Sequence, residues 1–226
     1  MSLQVKICAI TSFQDAVDAV RAGATLLGLN FYRPSPRYIQ PGRAGDIAAG
    51  LHRAFGDRTP TLVGVFVNEA PGNVLHIMEA VGLDAAQLSG DEPPEALAAL
   101  FELAFKAIRP RSAGEARHLA DAYLAFAPSA EHLPALLLDA YHPDRYGGSG
   151  EQASTDVAKT LTALTPKLMV AGGLTPENVA ERVAAIRPWG VDVASGVEGA
   201  IKGRKDAHKM KAFVLSAQQG ANSNGD

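Results

Sequence analysis

The chain of 226 residues holds one cysteine, Cys8, at the end of the apolar run LQVKICAI, and one carboxylate, Asp139, that follows directly on ALLL. A lone cysteine is most often a small buried hydrophobe, so position alone leaves packing and chemistry both open for Cys8. Lys6 and Cys8 are two residues apart, which puts them on one face of an extended strand. An unpaired buried carboxylate is costly, so Asp139 is either a functional group or a cap or ion pair at the rim of a domain. Asp192 and Glu198 flank the run VDVASG and raise the same question, with loop capping or orientation as the plainer role. Arg33 and Arg37 lie in the proline-stiffened YRPSPRYIQP, where a fixed guanidinium suits bidentate binding of a carboxylate or phosphate. Three glycine-rich turns, YGGSG (146–150), AGGLT (171–175) and ASGVEGA (194–200), let backbone N–H groups approach an anion. Together they point to a phosphate-bearing substrate.

Other chemistries find no support. The six histidines are scattered with no HxH or HExxH pair, so neither a metal site nor a Ser-His-Asp triad is indicated. No GxGxxG follows a strand, and the sequence implies no cofactor. A formal net charge of −3 with no Lys/Arg cluster argues against nucleic acid. One cysteine forms no internal disulfide, no apolar run approaches a membrane span, and MSLQVKICAI reads as a strand; a soluble cytoplasmic protein is expected.

Something must hold these residues in place. Apolar residues make up 47% of the chain and charged residues 20%, enough for a large core. Eight strand-like runs, at 3–10, 25–31, 61–67, 84–88, 103–108, 135–140, 167–172 and 191–196, alternate with helical patterns. Ser12 caps and Gly23 stops a helix over 12–23; Thr175 and Pro176 open another that ends before Pro188. Eight such units in so short a chain favour a single-domain (β/α)8 TIM barrel over an open doubly wound sheet. The barrel spans 1–215, and the polar, glycine-rich 216–226 is expected to be a disordered tail. In such barrels the active site lies at the C-terminal strand ends, where Cys8, Asp139 and the glycine turns fall.

The ordered set KICAIT, SPRYI, LLLDA with GGSG, AGGLTPENV, GVDVASGVE and GRKDAHKMKAF resembles phosphoribosylanthranilate isomerase of tryptophan biosynthesis, from Lys6 to Phe213. The resemblance implies an Amadori rearrangement of an aminoaldose phosphate without metal or coenzyme, with Asp139 as acid and Cys8 as base. Lys6 would then favour the thiolate by its charge. It also implies that Arg37 holds the anthranilate moiety and that Gly148, Gly150, Gly172, Gly173, Ser195 and Gly196 cradle the phosphate. Asp192 is counted with the substrate-binding group. Three positions depart from the family pattern. Ala9 stands where glycine is usual, Ser89 in QLSG stands for histidine, and Ser149 stands for threonine while keeping the hydroxyl. Ser89 cannot supply an imidazole's charge, so a slower enzyme or altered binding of the aromatic acid is expected. Two alternatives stay open: a phosphate-binding barrel with reduced or lost activity, and an isomerase or lyase for another phosphorylated sugar. The partner is a small phosphorylated molecule, with no nucleic acid or membrane involved, and the protein is a monomer or homodimer.

Overall fold

The computed structural model describes residues 2–140 and 154–223. Among them the eight expected strands occur in order: β1 (Gln4–Ile7), β2 (Leu26–Asn30), β3 (Thr61–Phe66), β4 (Ala85–Leu88), β5 (Ala104–Ile108), β6 (Leu136–Leu138), β7 (Leu168–Val170) and β8 (Gly190–Val193). Each is parallel to its chain neighbour, and β1 also pairs with β8, with Lys6 beside Asp192, so the sheet closes. That pairing excludes the open sheet. The helices that follow the strands are α1 (Phe13–Ala22), α2 (Pro41–Phe55), α3 (Pro71–Val81), α4 (Pro94–Ala99), α5 (Ala113–Tyr123), α6 (Thr155–Thr162), α7 (Val179–Ile186) and α8 (Ala207–Asn222).

Local signals account for several boundaries. The Ser12 hydroxyl accepts the Asp15 N–H at 3.1 Å, and Gly23, at φ 99°, turns the chain out of α1. The helix expected from Thr175 begins only at Val179. Asn178 accepts the Thr175 N–H at 2.8 Å and donates to the Gly173 carbonyl at 2.9 Å, which folds the preceding residues into a loop closure. The expected tail also needs correction, because α8 continues to Asn222 with Ala217 and Gly220 buried. A Cβ on Gly220 would strike the Ala180 carbonyl of α7. Its glycine therefore permits close helix packing where composition suggested fraying. Residues 224–226 lie outside the described residues.

Alternating side chains divide the core in two. One set of positions packs between strands and helices; the other, including Leu26, Val63, Phe105, Leu137 and Met169, fills the barrel interior. Toward the C-terminal strand ends the inward positions become polar, with Lys6, Gln87 and Asp192 buried there. No helix among the described residues is long and apolar enough to cross a membrane.

Candidate active site

Above that polar layer a cavity opens between the C-terminal strand ends, lined by Cys8, Arg37, Ser89, Asp139 and Asp192 together with Gly172, Gly173, Ser195 and Gly196. Residues far apart in sequence thus meet because each ends or follows a strand. Gly148, Ser149 and Gly150 lie outside the described residues.

Lys6 is completely buried and hydrogen-bonds Gln87 Oε1 at 2.9 Å and Asp192 Oδ1 at 3.1 Å. Burial opposes its charge, but Asp192 and Cys8 more than compensate and hold the ammonium above its ordinary pKa. Asp192 is therefore chiefly the counter-ion of Lys6 on the neighbouring strand. A lysine inside a barrel needs such partners.

Cys8 is also buried, and its surroundings push the thiol pKa up. Burial is the largest cause; Lys6 and Lys205 pull it down, while Asp192 adds to the rise. The charge of Lys6 favours the thiolate, but desolvation outweighs it. The thiol has room because β2 carries Gly28 opposite: a Cβ there would stand 2.7 Å from Cys8 Sγ and 3.2 Å from Lys6 Nζ. Ala9 sits at φ 61°, in the left-handed region where a side chain is strained, which is why a glycine suits that position.

Asp139 follows β6 and receives the Ala140 N–H at 2.8 Å. Shielding from water raises its pKa to about 6, with Asp192 adding to the rise and the Ala140 hydrogen bond, Arg109 and Lys6 opposing it. It is poised to hold or release a proton near neutrality.

Arg37 projects from the loop after β2, which is tied down where Asn30 and the Arg37 backbone both donate to Ser35 Oγ at 3.2 Å. Its guanidinium grips Glu198 in a fork, Nε to Oε1 at 2.6 Å and Nη2 to Oε2 at 3.1 Å. Lys205, buried and donating to the Ala194 carbonyl at 2.7 Å, lies 3.7 Å from the same carboxylate. Burial alone would raise the Glu198 pKa, but the two cations bring it below the ordinary range. Arg33 instead lies over the Tyr38 ring, 6.0 Å from its centroid. The proline loop thus presents only one of its two arginines to the cavity.

Gly172 and Gly173, at φ 85° and 58°, make the turn after β7. Gly196 has no room for a Cβ because the Leu174 carbonyl lies against it, so the turns after β7 and β8 touch. Ser89 stands at the end of β4, and the following turn is clamped from below. Glu92 accepts the Gly90 N–H at 3.0 Å and pairs with the buried Lys106 at 2.8 Å.

Four contributors escaped the sequence reading: Gly28, Gln87, Lys205 and the pairing role of Glu198. Gly28 had a signal, a glycine inside an apolar strand that marks a close approach. Gln87 had another, a polar side chain at the same parity as Ser89.

Residues 5–216 match the family described as N-(5'-phosphoribosyl)anthranilate isomerase. Proteins of that name from Trichlorobacter lovleyi and Myxococcus xanthus are 41% and 44% identical, each over 96% of this chain and 98% and 97% of their own. The crystal structure of phosphoribosyl anthranilate isomerase from Thermotoga maritima superposes with a TM-score of 0.81 at 34% identity, covering 96% of this chain and 98% of that one. A further structure of such an isomerase, in complex with reduced 1-(o-carboxyphenylamino)-1-deoxyribulose 5-phosphate, has a TM-score of 0.78 at 33% identity and the same coverage.

Proposed function

The chain belongs to the N-(5'-phosphoribosyl)anthranilate isomerase family and is an aldose–ketose isomerase of tryptophan biosynthesis, and from that premise we propose that Asp139 is its acid and Cys8 its base. The substrate's phosphate rests on the glycine turns after β7 and β8, its anthranilate end meets Arg37, and the ribose spans the cavity between. Asp139 gives its proton to the ring oxygen as the C1′–O bond breaks and the nitrogen lone pair forms the Schiff base. Cys8, as thiolate, takes the C2′ proton, and the bonding pair flows to the nitrogen to give an enolamine. Tautomerisation to the ketose returns both groups to their starting protonation through solvent or one another.

One observation carries this reading: a carboxyl whose pKa is raised to about 6 and a thiol flanked by two lysines open into the same cavity. Asp192 keeps Lys6 charged, and Glu198 fixes the arginine that meets the aromatic acid. The proposal extends to a reducing, cytoplasmic setting, in which the lone thiol stays unoxidised.

The test is turnover of phosphoribosylanthranilate by the wild type, Cys8→Ala and Asp139→Asn. Each substitution is expected to lower kcat by at least about 100-fold. Affinity for the reduced product analogue should stay within a few fold. A near-normal rate in either variant removes that residue from its role.

A further inference from the structure

Lys6, Gln87 and Ser89 form a hydrogen-bonded line across the barrel interior, from β1 to the end of β4. An ammonium donates only, so the side-chain oxygen of Gln87 must face Lys6, and it does so at 2.9 Å. The amide nitrogen is thereby turned to the other side, where it donates to Ser89 Oγ at 3.0 Å. Ser89 is consequently an acceptor toward Gln87, and its own proton points elsewhere. Ser89 lines the cavity, and among the described residues its hydroxyl makes no side-chain hydrogen bond other than the one with Gln87. Polarity thus runs in one direction, from the buried ammonium to the cavity wall.

We infer that Gln87 is a positioning residue that sets Ser89 as a hydrogen-bond donor to an acceptor oxygen of the substrate. This rests on the substrate reading above. In the closed order of strands β4 lies four places from β8, across the barrel from the turns assigned to the phosphate. The oxygen that Ser89 meets therefore belongs to the half of the substrate remote from the phosphate. A hydroxyl here does part of the work that its lack of charge would seem to deny it, because its direction is enforced from the core.

Affinity for reduced 1-(o-carboxyphenylamino)-1-deoxyribulose 5-phosphate, measured by calorimetry, tests the inference without depending on turnover. Ser89→Ala should weaken binding by about tenfold, the loss of one hydrogen bond to a charged or polar oxygen. Gln87→Glu keeps the shape and the pairing with Lys6 but has nothing to donate, so the serine proton turns back onto the new carboxylate. In that background Ser89→Ala should have almost no further effect, and Gln87→Met, which removes the amide altogether, serves as the second background. Equal losses from Ser89→Ala in all three backgrounds would overturn the coupling, and no loss in the wild type would overturn the donor role. A wild-type protein that does not bind the analogue would bring down the substrate reading and this inference with it. Loss of turnover in Cys8→Ala or Asp139→Asn bears on catalysis alone.

Discussion

Cys8 and Asp139, the proposed base and acid, start from unequal protonation, and the difference is visible in how rate should depend on pH. In the free enzyme the thiol is pushed above its ordinary value and the carboxyl is raised to only about 6. Between those two values most molecules hold thiol and carboxylate, the reverse of what the chemistry needs. Raising the pH by one unit there ionises about tenfold more thiol and leaves about tenfold less carboxyl protonated, so the productive share stays level. Below about pH 6 the carboxyl is already protonated, and acidification only removes thiolate. We therefore expect kcat/KM to be level from about pH 6 up to the raised pKa of the thiol, and to fall about tenfold per unit below that range and again above it, as measured in a pH profile. A profile that declines steadily from about pH 6 toward 8 would show the thiol already ionised there, contrary to its burial. The roles proposed for both residues rest on the ordered motifs; their protonation could not be read there, because it depends on Asp192, Lys205 and Arg109, which only the fold brings close.

At the level of elements, the first two strands decide where the thiol sits. Ala9 holds a left-handed conformation at φ 61°, which costs an L-residue roughly 1–2 kcal/mol. Ala9→Gly should raise the unfolding free energy by about 1 kcal/mol in a urea melt, because relief of strain exceeds the added chain entropy of glycine. A loss of stability would mean that the Ala9 methyl, packed with Cys8 and Val65, contributes more than its strain removes. Gly28→Ala works in the opposite direction. Its Cβ would stand 2.7 Å from Cys8 Sγ and 3.0 Å from Cys8 Cα, so β1 must shift away. The expected result is destabilisation of about 1–3 kcal/mol and a thiol displaced from the substrate. Turnover should fall by more than about tenfold, since small misplacements are felt strongly in such sites. Unchanged turnover and an unchanged rate of thiol alkylation would show that β2 yields instead.

The whole barrel is closed by β1 on β8 and clasped outside by α8, which packs against both α1 and α7. The last helix therefore has a stabilising part beyond Leu215, where Ala217 and Gly220 are buried. A chain ending at Leu215 should unfold at lower urea, with a loss of at least about 1 kcal/mol for the apolar surface uncovered. An unchanged midpoint would mean that residues 216–222 contribute nothing to the barrel. Activity under folding conditions should survive this truncation, because the cavity proposed as the active site lies at the C-terminal strand ends.

Read along the chain, hydrophobic periodicity and turn residues were enough for the eight-unit barrel, because both are local properties, while Cys8, Asp139 and Arg37 were singled out by the ordered motifs that resemble the family. The sequence also placed the first helix between Ser12 and Gly23, where caps act within a few residues. It misjudged the start of α7, where the Asn178 side chain competes with the helix, and the end of α8, where a glycine serves packing. Only the tertiary structure decided that Lys6 pairs with Asp192 and orients Gln87, that Glu198 fixes Arg37, and that burial outweighs the nearby cations at Cys8. Those outcomes depend on distance and on exclusion of water, and both arise only when strands remote in sequence close around a common interior.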